Sequence, residues 1–215
     1  MAEVGRKLVL AFDCDDVLVP TSHQLLDYYN ELYGTAVPYE GFYSDDLWGA
    51  PSLEEASRRV DDLIKSGAMA DAVPQQSTID SVQRIASMGH EMHVVTGRQS
   101  YQETETIALL DRYYPDIFRS IEHTNMYASG ENAQLRRSKG EVCRNLGAHM
   151  LVDDHIVHGY DVIAAGVEDF VVYGDYPWNR FDTLAQGMVH CLTMAEVERE
   201  VLRVAACTPL GSDKR

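Results

Sequence analysis

Asp13 and Asp15 stand two residues apart, with Asp16 beside them, where the apolar run Leu8-Val9-Leu10-Ala11-Phe12 ends. Side chains at i and i+2 share one face of an extended chain. Two carboxylates held together need a cation or a shared proton. A second acidic pair, Asp153-Asp154, ends the run from His149 to Val152. Clustered hard oxygen donors suit Mg²⁺, which keeps several waters and takes one or two carboxylates plus substrate phosphate. Thr96-Gly97 ends a third run, His93-Val94-Val95. Its hydroxyl and backbone amide are donors of the kind that hold phosphate oxygens. Lys139 opens the stretch that leads to Asp153-Asp154, and it is one of only four lysines in the chain. A lysine at a helix start can bind phosphate and offset neighbouring carboxylates.

Each feature alone has a plainer reading. Asp13 to Asp16 can be an acidic turn after a strand, and Asp153-Asp154 a helix cap. Thr96 can cap the following helix, and Lys139 can be a solvated lysine. Their meaning depends on the elements that carry them. An unbroken apolar run of four to six residues reads as a strand buried on both faces. Strands are expected over 8–12, 93–96, 149–152 and 170–173, with a short one near 120–122. Between them, helical spacing predicts helices over about 77–88, 101–113 and 158–165, one between Ser138 and Gly147, and a closing one over about 193–205. Ser77 with Asp80 has the form of a capping box. Ile107, Leu110 and Tyr113 are expected to face inward.

Strands alternating with helices imply a parallel sheet covered on both faces, an α/β fold of Rossmann type. All strands of a parallel sheet end on one edge, so Asp13/Asp15, Thr96 and Asp153/Asp154 belong together there. Open α/β sheets bind their ligands at that edge. The segment 20–73 departs from this pattern. Helical spacing predicts helices over about 23–33, with Leu25, Leu26, Tyr29 and Leu32 on one side, and from Ser52 to near Gly67. The aromatic stretch between them contains Phe42, Tyr43 and Trp48. The expected organisation is an α/β core of 1–19 and 74–207, a small helical insertion of 20–73 after the first strand, and a flexible tail of 208–215.

With 34 acidic against 18 basic residues, the formal net charge is −16. Such a chain lacks the basic footprint that a nucleic acid polymer or an anionic membrane requires. No stretch approaches the roughly 18–20 apolar residues of a membrane span. The cysteines, Cys14, Cys143, Cys191 and Cys207, are widely spaced, with no CxxC. Reduced thiols and a cytoplasmic location are expected. A homodimer is compatible with the composition. Cys14 points away from Asp13 and Asp15 in an extended strand and is expected to pack in the core. His155 and His158 are spaced as HxxH, but only Ile156 and Val157 lie between them, which disfavours zinc.

Asp13-Cys-Asp15, Thr96, Lys139 and Asp153-Asp154, in this order, resemble the four motifs of the haloacid dehalogenase superfamily. The likeness covers about residues 7–180. Asp-Cys-Asp-Asp-Val-Leu, the helical insertion after it, Lys-Gly-Glu-Val-Cys…Leu-Val-Asp-Asp and the late Tyr-Pro-Trp-Asn are similar to the 5′(3′)-deoxyribonucleotidase-like group. The resemblance implies a Mg²⁺-dependent phosphomonoesterase acting on a small phosphate ester, a nucleoside 5′-monophosphate by the narrower match. Asp13 would be the nucleophile and Asp15 the general acid and base. Asp13, the Asp15 carbonyl, Asp153 and Asp154 would surround the metal, and Thr96, Gly97 and Lys139 would hold phosphate. The segment 20–73 would cap the site. Phe42, Tyr43 and Trp48 would then either stack on a base or form the cap's own core. The alternatives are a sugar phosphate or other metabolite as substrate, and a non-catalytic binding protein on the same fold. One position departs from the superfamily pattern, which usually has glycine where this chain has Asp16.

Overall fold

The structure is a computed structural model that describes residues 5–128, 130–179 and 183–206. Its elements run β1 (Val9–Phe12), α1 (Ser22–Tyr33), α2 (Leu53–Lys65), α3 (Gln76–Ser87), β2 (Glu91–Thr96) and α4 (Glu103–Tyr113). They continue with β3 (Ser120–His123), α5 (Lys139–Leu146), β4 (Met150–Asp153), α6 (Ile156–Ala164), β5 (Asp169–Tyr173), β6 (Met188–Cys191) and α7 (Met194–Ala206). The strands form one sheet in the order β3-β2-β1-β4-β5-β6. Every adjacent pair is parallel.

The strand sequences divide the core into two layers because side chains alternate across a sheet. Leu10, Phe12, Met92, Val94, Met150 and Val152 pack on one face against Val82 and Ile85 of α3 and Val197, Val201 and Val204 of α7. Ala11, Val95, Leu151, Phe170 and Val172 pack on the other against Val142 of α5 and Ile156 and Val162 of α6. Cys14 is fully buried in the first layer, as its position predicts. The inserted segment holds an apolar cluster of its own, built from Leu25, Leu26, Tyr29, Val37, Trp48, Leu63 and Met69.

The order of the strands places the chemistry. The chain runs outward from β1 through β2 to β3, then crosses to β4 on the other side of β1. The crevice beyond the carboxyl ends of β1 and β4 is the topological switch point, where open α/β sheets take ligands. Leu10 pairs with Met150 and Phe12 with Val152, so Asp13 and Asp153 leave neighbouring strands at nearly the same height.

Several local expectations are corrected. Residue 77 is not a cap: α3 begins at Gln76 with Gln75 as its N-cap, and Asp80 accepts from the Gln76 side chain instead. On α1 the buried residues are Ser22, Leu25, Leu26 and Tyr29, while Leu32 is exposed. On α4 the buried face is Thr106, Leu109 and Leu110, and Ile107 is exposed. Helix α6 starts at Ile156, two residues earlier than its apolar spacing suggests, because His155 caps it by accepting from the Val157 amide. Strand β6 was not expected at all. The tail 208–215 lies outside the described residues. Among the described residues no helix is long and apolar enough to cross a membrane.

Candidate active site

Lys139 is the centre of the crevice. Its side chain is almost fully buried, and its Nζ donates to Asp13 Oδ2 and to Asp153 Oδ2, both at 2.6 Å. The sequence of α5 brings it there. Ser138 caps the helix by accepting from the Glu141 amide, so Lys139 is its first residue. Gly140 follows, and its amide donates to Asp161 Oδ2 on α6 at 2.8 Å. A Cβ at residue 140 would come within 2.6 Å of the Asp161 carbonyl oxygen. Glycine therefore allows α5 to press against α6 and pushes Lys139 to the strand ends.

Asp13, Asp153 and Asp154 each offer an oxygen within 4.8 Å of the others, and all three are buried. Asp13 Oδ1 also accepts from the Cys14 amide at 2.7 Å. Asp153 Oδ1 accepts from the His155 amide and pairs with His158 Nδ1, both at 2.9 Å. Burial raises the Asp13 carboxyl to about 6, with Lys139 opposing and Asp153 and Asp15 adding to the rise. Burial also works to raise Asp153, but His158 and Lys139 outweigh it and hold it below the usual carboxylate range. Asp154 is pushed well up by burial, then by Asp153, Asp16 and Asp13. Burial works to lower Lys139, and Asp13 and Asp153 keep it firmly charged.

Three buried acids stand beside one lysine, and burial and the neighbouring acids disfavour the ionised form of Asp154. A hard divalent cation favours that form, and oxygen donors are the set Mg²⁺ prefers. The residues present therefore fit the metal. His155 and His158 join no such cluster among the described residues.

The cluster does not include the carboxylate of Asp15. That carboxylate turns to Arg98, a residue to which the sequence pattern assigned no part. Burial would raise Asp15, and the guanidinium outweighs it and lowers the carboxyl instead. Thr96 is fully buried at the end of β2, where its Oγ1 accepts from the Arg98 amide at 3.2 Å. Gly97 follows at the edge, and its carbonyl accepts from the Met126 amide. Both thus lie on the β2 side of Asp13.

Asp16 occupies the left-handed region, with φ +57°, which is the conformation a glycine would supply. Its carboxylate adds what glycine lacks. Oδ1 accepts from the amides of Thr21 and Ser22, each at 3.1 Å, at the start of α1. Thr21 itself makes no side-chain cap. Asp16 thus closes the turn after β1 and caps the first helix of the insertion. Burial raises its carboxyl to about 7, against the amides that stabilise its charge.

The aromatic residues divide. Trp48 is buried in the insertion, with its ring edge-on to Tyr29 and its indole N–H on the Phe42 carbonyl. Phe42 packs against the same cluster. Tyr43 is half exposed and meets His155 and Trp178 at ring distances of 4.8 Å. Trp178 is a second residue outside the four motifs, and its indole N–H reaches Asp154. The insertion also touches the core through Tyr101, whose hydroxyl donates to Asp61 on α2 at 2.8 Å.

Neither a protein-family profile nor a curated protein matches the sequence. Solved structures do match the fold. A haloacid dehalogenase-like family hydrolase from Streptococcus pneumoniae superposes with a TM-score of 0.63 at 12% identity, covering 90% of this chain and 98% of that one. A HAD-superfamily hydrolase of subfamily IA from Geobacter sulfurreducens gives 0.57 at 15% identity, covering 92% and 97%. A HAD family hydrolase from Deinococcus radiodurans, solved with bound phosphate and sodium, gives 0.63 at 11% identity, covering 94% and 98%. At these identities the likeness is one of fold: the chain has the Rossmann-type α/β core of the HAD-like hydrolases.

Proposed function

We propose that the protein is a Mg²⁺-dependent phosphomonoester hydrolase of the haloacid dehalogenase superfamily, working through an aspartyl-phosphate on Asp13. The observation that carries this reading is the buried group of Asp13, Asp153, Asp154 and Lys139 at the switch point. Asp13, Asp153 and Asp154 would hold Mg²⁺, which when bound would neutralise phosphate charge. Asp13 attacks phosphorus as the P–O bond to the leaving group breaks. Asp15, held as a carboxylate by Arg98, would have to leave that pair and take up a proton before giving one to the leaving oxygen; it then takes one from the water that hydrolyses the acyl phosphate. Thr96, the Gly97 amide and Lys139 bind the three equatorial oxygens, whose charge grows in the transition state.

The segment 20–73 serves as the cap in this reading. Tyr43 would form an aromatic wall above Asp13, with Tyr127, itself exposed, close to it. Lys139 and Arg98, the cations nearest the nucleophile among the described residues, are both paired with carboxylates. A leaving group that is aromatic and uncharged suits such surroundings, and a nucleoside 5′-monophosphate supplies one. A cytoplasmic setting suits the buried free thiols of Cys14, Cys143 and Cys191.

The test is hydrolysis of p-nitrophenyl phosphate and of a panel of nucleoside monophosphates and sugar phosphates, with and without Mg²⁺, beside Asp13→Asn. The expected result is Mg²⁺-dependent release of phosphate that Asp13→Asn lowers by at least about three orders of magnitude. Equal turnover by the two proteins rejects Asp13 as nucleophile. Sugar phosphates turned over faster than every nucleotide reject the nucleotide substrate.

A further inference from the structure

Trp178 stands between Asp154 and the aromatic residues of segment 20–73. On one side its indole N–H lies 2.8 Å from Asp154 Oδ2 and 3.1 Å from the Asp154 carbonyl oxygen. One carboxylate oxygen of Asp154 thereby has the indole as its partner. The ring itself stacks on Tyr176, at 4.8 Å and an interplanar angle of 4°. The Tyr176 hydroxyl donates to the Asp16 carbonyl at 2.7 Å, which fixes the stack to the turn after β1.

On its other side Trp178 receives the cap. Tyr39, Phe42 and Tyr43 all pack on it, with ring centroids at 5.4, 5.6 and 4.8 Å. Tyr39 is held in turn by the Ser22 hydroxyl at 2.7 Å and by stacking on His23. Among the described residues no hydrogen bond joins these three rings to a carboxylate of the site, although Tyr39 and Tyr43 lie within electrostatic reach of Asp154. They meet the one ring whose N–H orients Asp154.

We propose that Trp178 is a positioning residue that couples seating of the cap to cation binding at Asp154. This rests on the reading of Asp154 as a metal ligand. With the cap aromatics in place, the indole has one position and Asp154 one orientation, so the cation meets a preformed donor. With the cap displaced, the indole loses its packing on one side and Asp154 its fixed partner. Coupling of this kind is reciprocal: whatever factor the cap adds to cation affinity, the cation adds to cap seating. Partners that orient metal ligands change affinity by about 10- to 100-fold when removed.

Calorimetric titration of the full chain with Mg²⁺ tests this, with no turnover involved. The proteins compared are wild type, Asp154→Asn, Trp178→Phe and Tyr43→Ala. Trp178→Phe keeps an aromatic ring and deletes the N–H. Tyr43→Ala removes a half-exposed cap side chain whose ring packs on Trp178. The expected result is Mg²⁺ binding by wild type, loss of binding in Asp154→Asn, and affinities lowered by about tenfold or more in Trp178→Phe and in the same direction in Tyr43→Ala. Should Trp178→Phe not fold, Tyr43→Ala decides. Unchanged affinity in both aromatic variants, with Asp154→Asn defective, overturns the coupling and leaves the metal site standing. Equal binding by wild type and Asp154→Asn, or no binding by wild type, overturns the metal assignment and the coupling with it.

Discussion

Arg98 grips both carboxylate oxygens of Asp15, through Nε at 2.9 Å and Nη2 at 2.7 Å. Its third nitrogen reaches Thr106 Oγ1 at 3.2 Å, and its side chain is 4% exposed. The fork is a planar two-bond match that a lysine cannot make. The Asp15 side chain is 26% exposed, so breaking the pair from one side should cost less than the loss of about 3–5 kcal/mol for a fully buried pair. Arg98→Met and Asp15→Leu should each destabilise, and the double variant by less than their sum. A double-mutant cycle from urea unfolding measures this. Strictly additive losses would show that the pair contributes nothing.

Asp15→Asn should discriminate between leaving groups. Nitrophenolate leaves without a proton, whereas an alkoxide needs one. General acid catalysis contributes about 10²- to 10⁴-fold where it is needed. The variant should therefore lose more kcat/KM on an alkyl phosphate than on p-nitrophenyl phosphate. Equal losses would remove proton donation from the role of Asp15.

Asp16 lends itself to a backbone test. Asp16→Gly keeps the left-handed turn and deletes the cap on α1, so stability should fall by about 0.5–2 kcal/mol. Asp16→Ala deletes the same cap and adds about 1–2 kcal/mol of strain at φ +57°. Thermal unfolding should rank the proteins wild type, Asp16→Gly, Asp16→Ala. Equal stability of the two variants would show that the turn carries no strain.

The acids predict a pH dependence of the metal-free protein. Asp13 and Asp16 have folded-state values raised to about 6 and about 7, above their ordinary value of 3.8. Between about pH 4 and 7 the folded chain then holds more protons at these groups than the unfolded chain. Their contribution to stability therefore falls as pH rises through that window. His90, His123 and His155, lowered by burial, act the other way over part of this range, so the contribution is read by difference. Without metal, Asp13→Asn and Asp16→Asn should each gain melting temperature relative to wild type on going from pH 5 to pH 7.5, and a difference that does not change with pH would contradict the burial of these charges.

The sheet and its acidic edge were legible because each site residue follows an apolar run, and such runs have few alternatives to buried strands. Lys139 was legible through its scarcity and its place before a strand. Arg98 was not. An arginine after Thr-Gly resembles any solvated loop arginine, and only the fold brings Asp15 to it from 83 residues away in sequence. The Tyr-Pro-Trp-Asn stretch stood out as a pattern, but nothing local ties its tryptophan to Asp154. Strand β6 escaped because Met188–Cys191 is a short edge strand, half-buried over three of its four residues, with neither an apolar run nor clean alternation. Leu32 and Ile107 lie within apolar helical spacing yet face outward, since periodicity marks a stripe but not its width.

The buried Lys139 has a consequence for how the crevice meets its ligand. Its ammonium already lies against two anions before any phosphate arrives. If Lys139 holds phosphate as proposed, the phosphate would trade places with a carboxylate rather than fill an empty positive seat. Such an exchange would leave the number of contacts on the lysine nearly constant, so that its free energy would come from rearrangement more than from long-range attraction. A chain with a formal net charge of −16 would then need little help from its overall field to take up an anion.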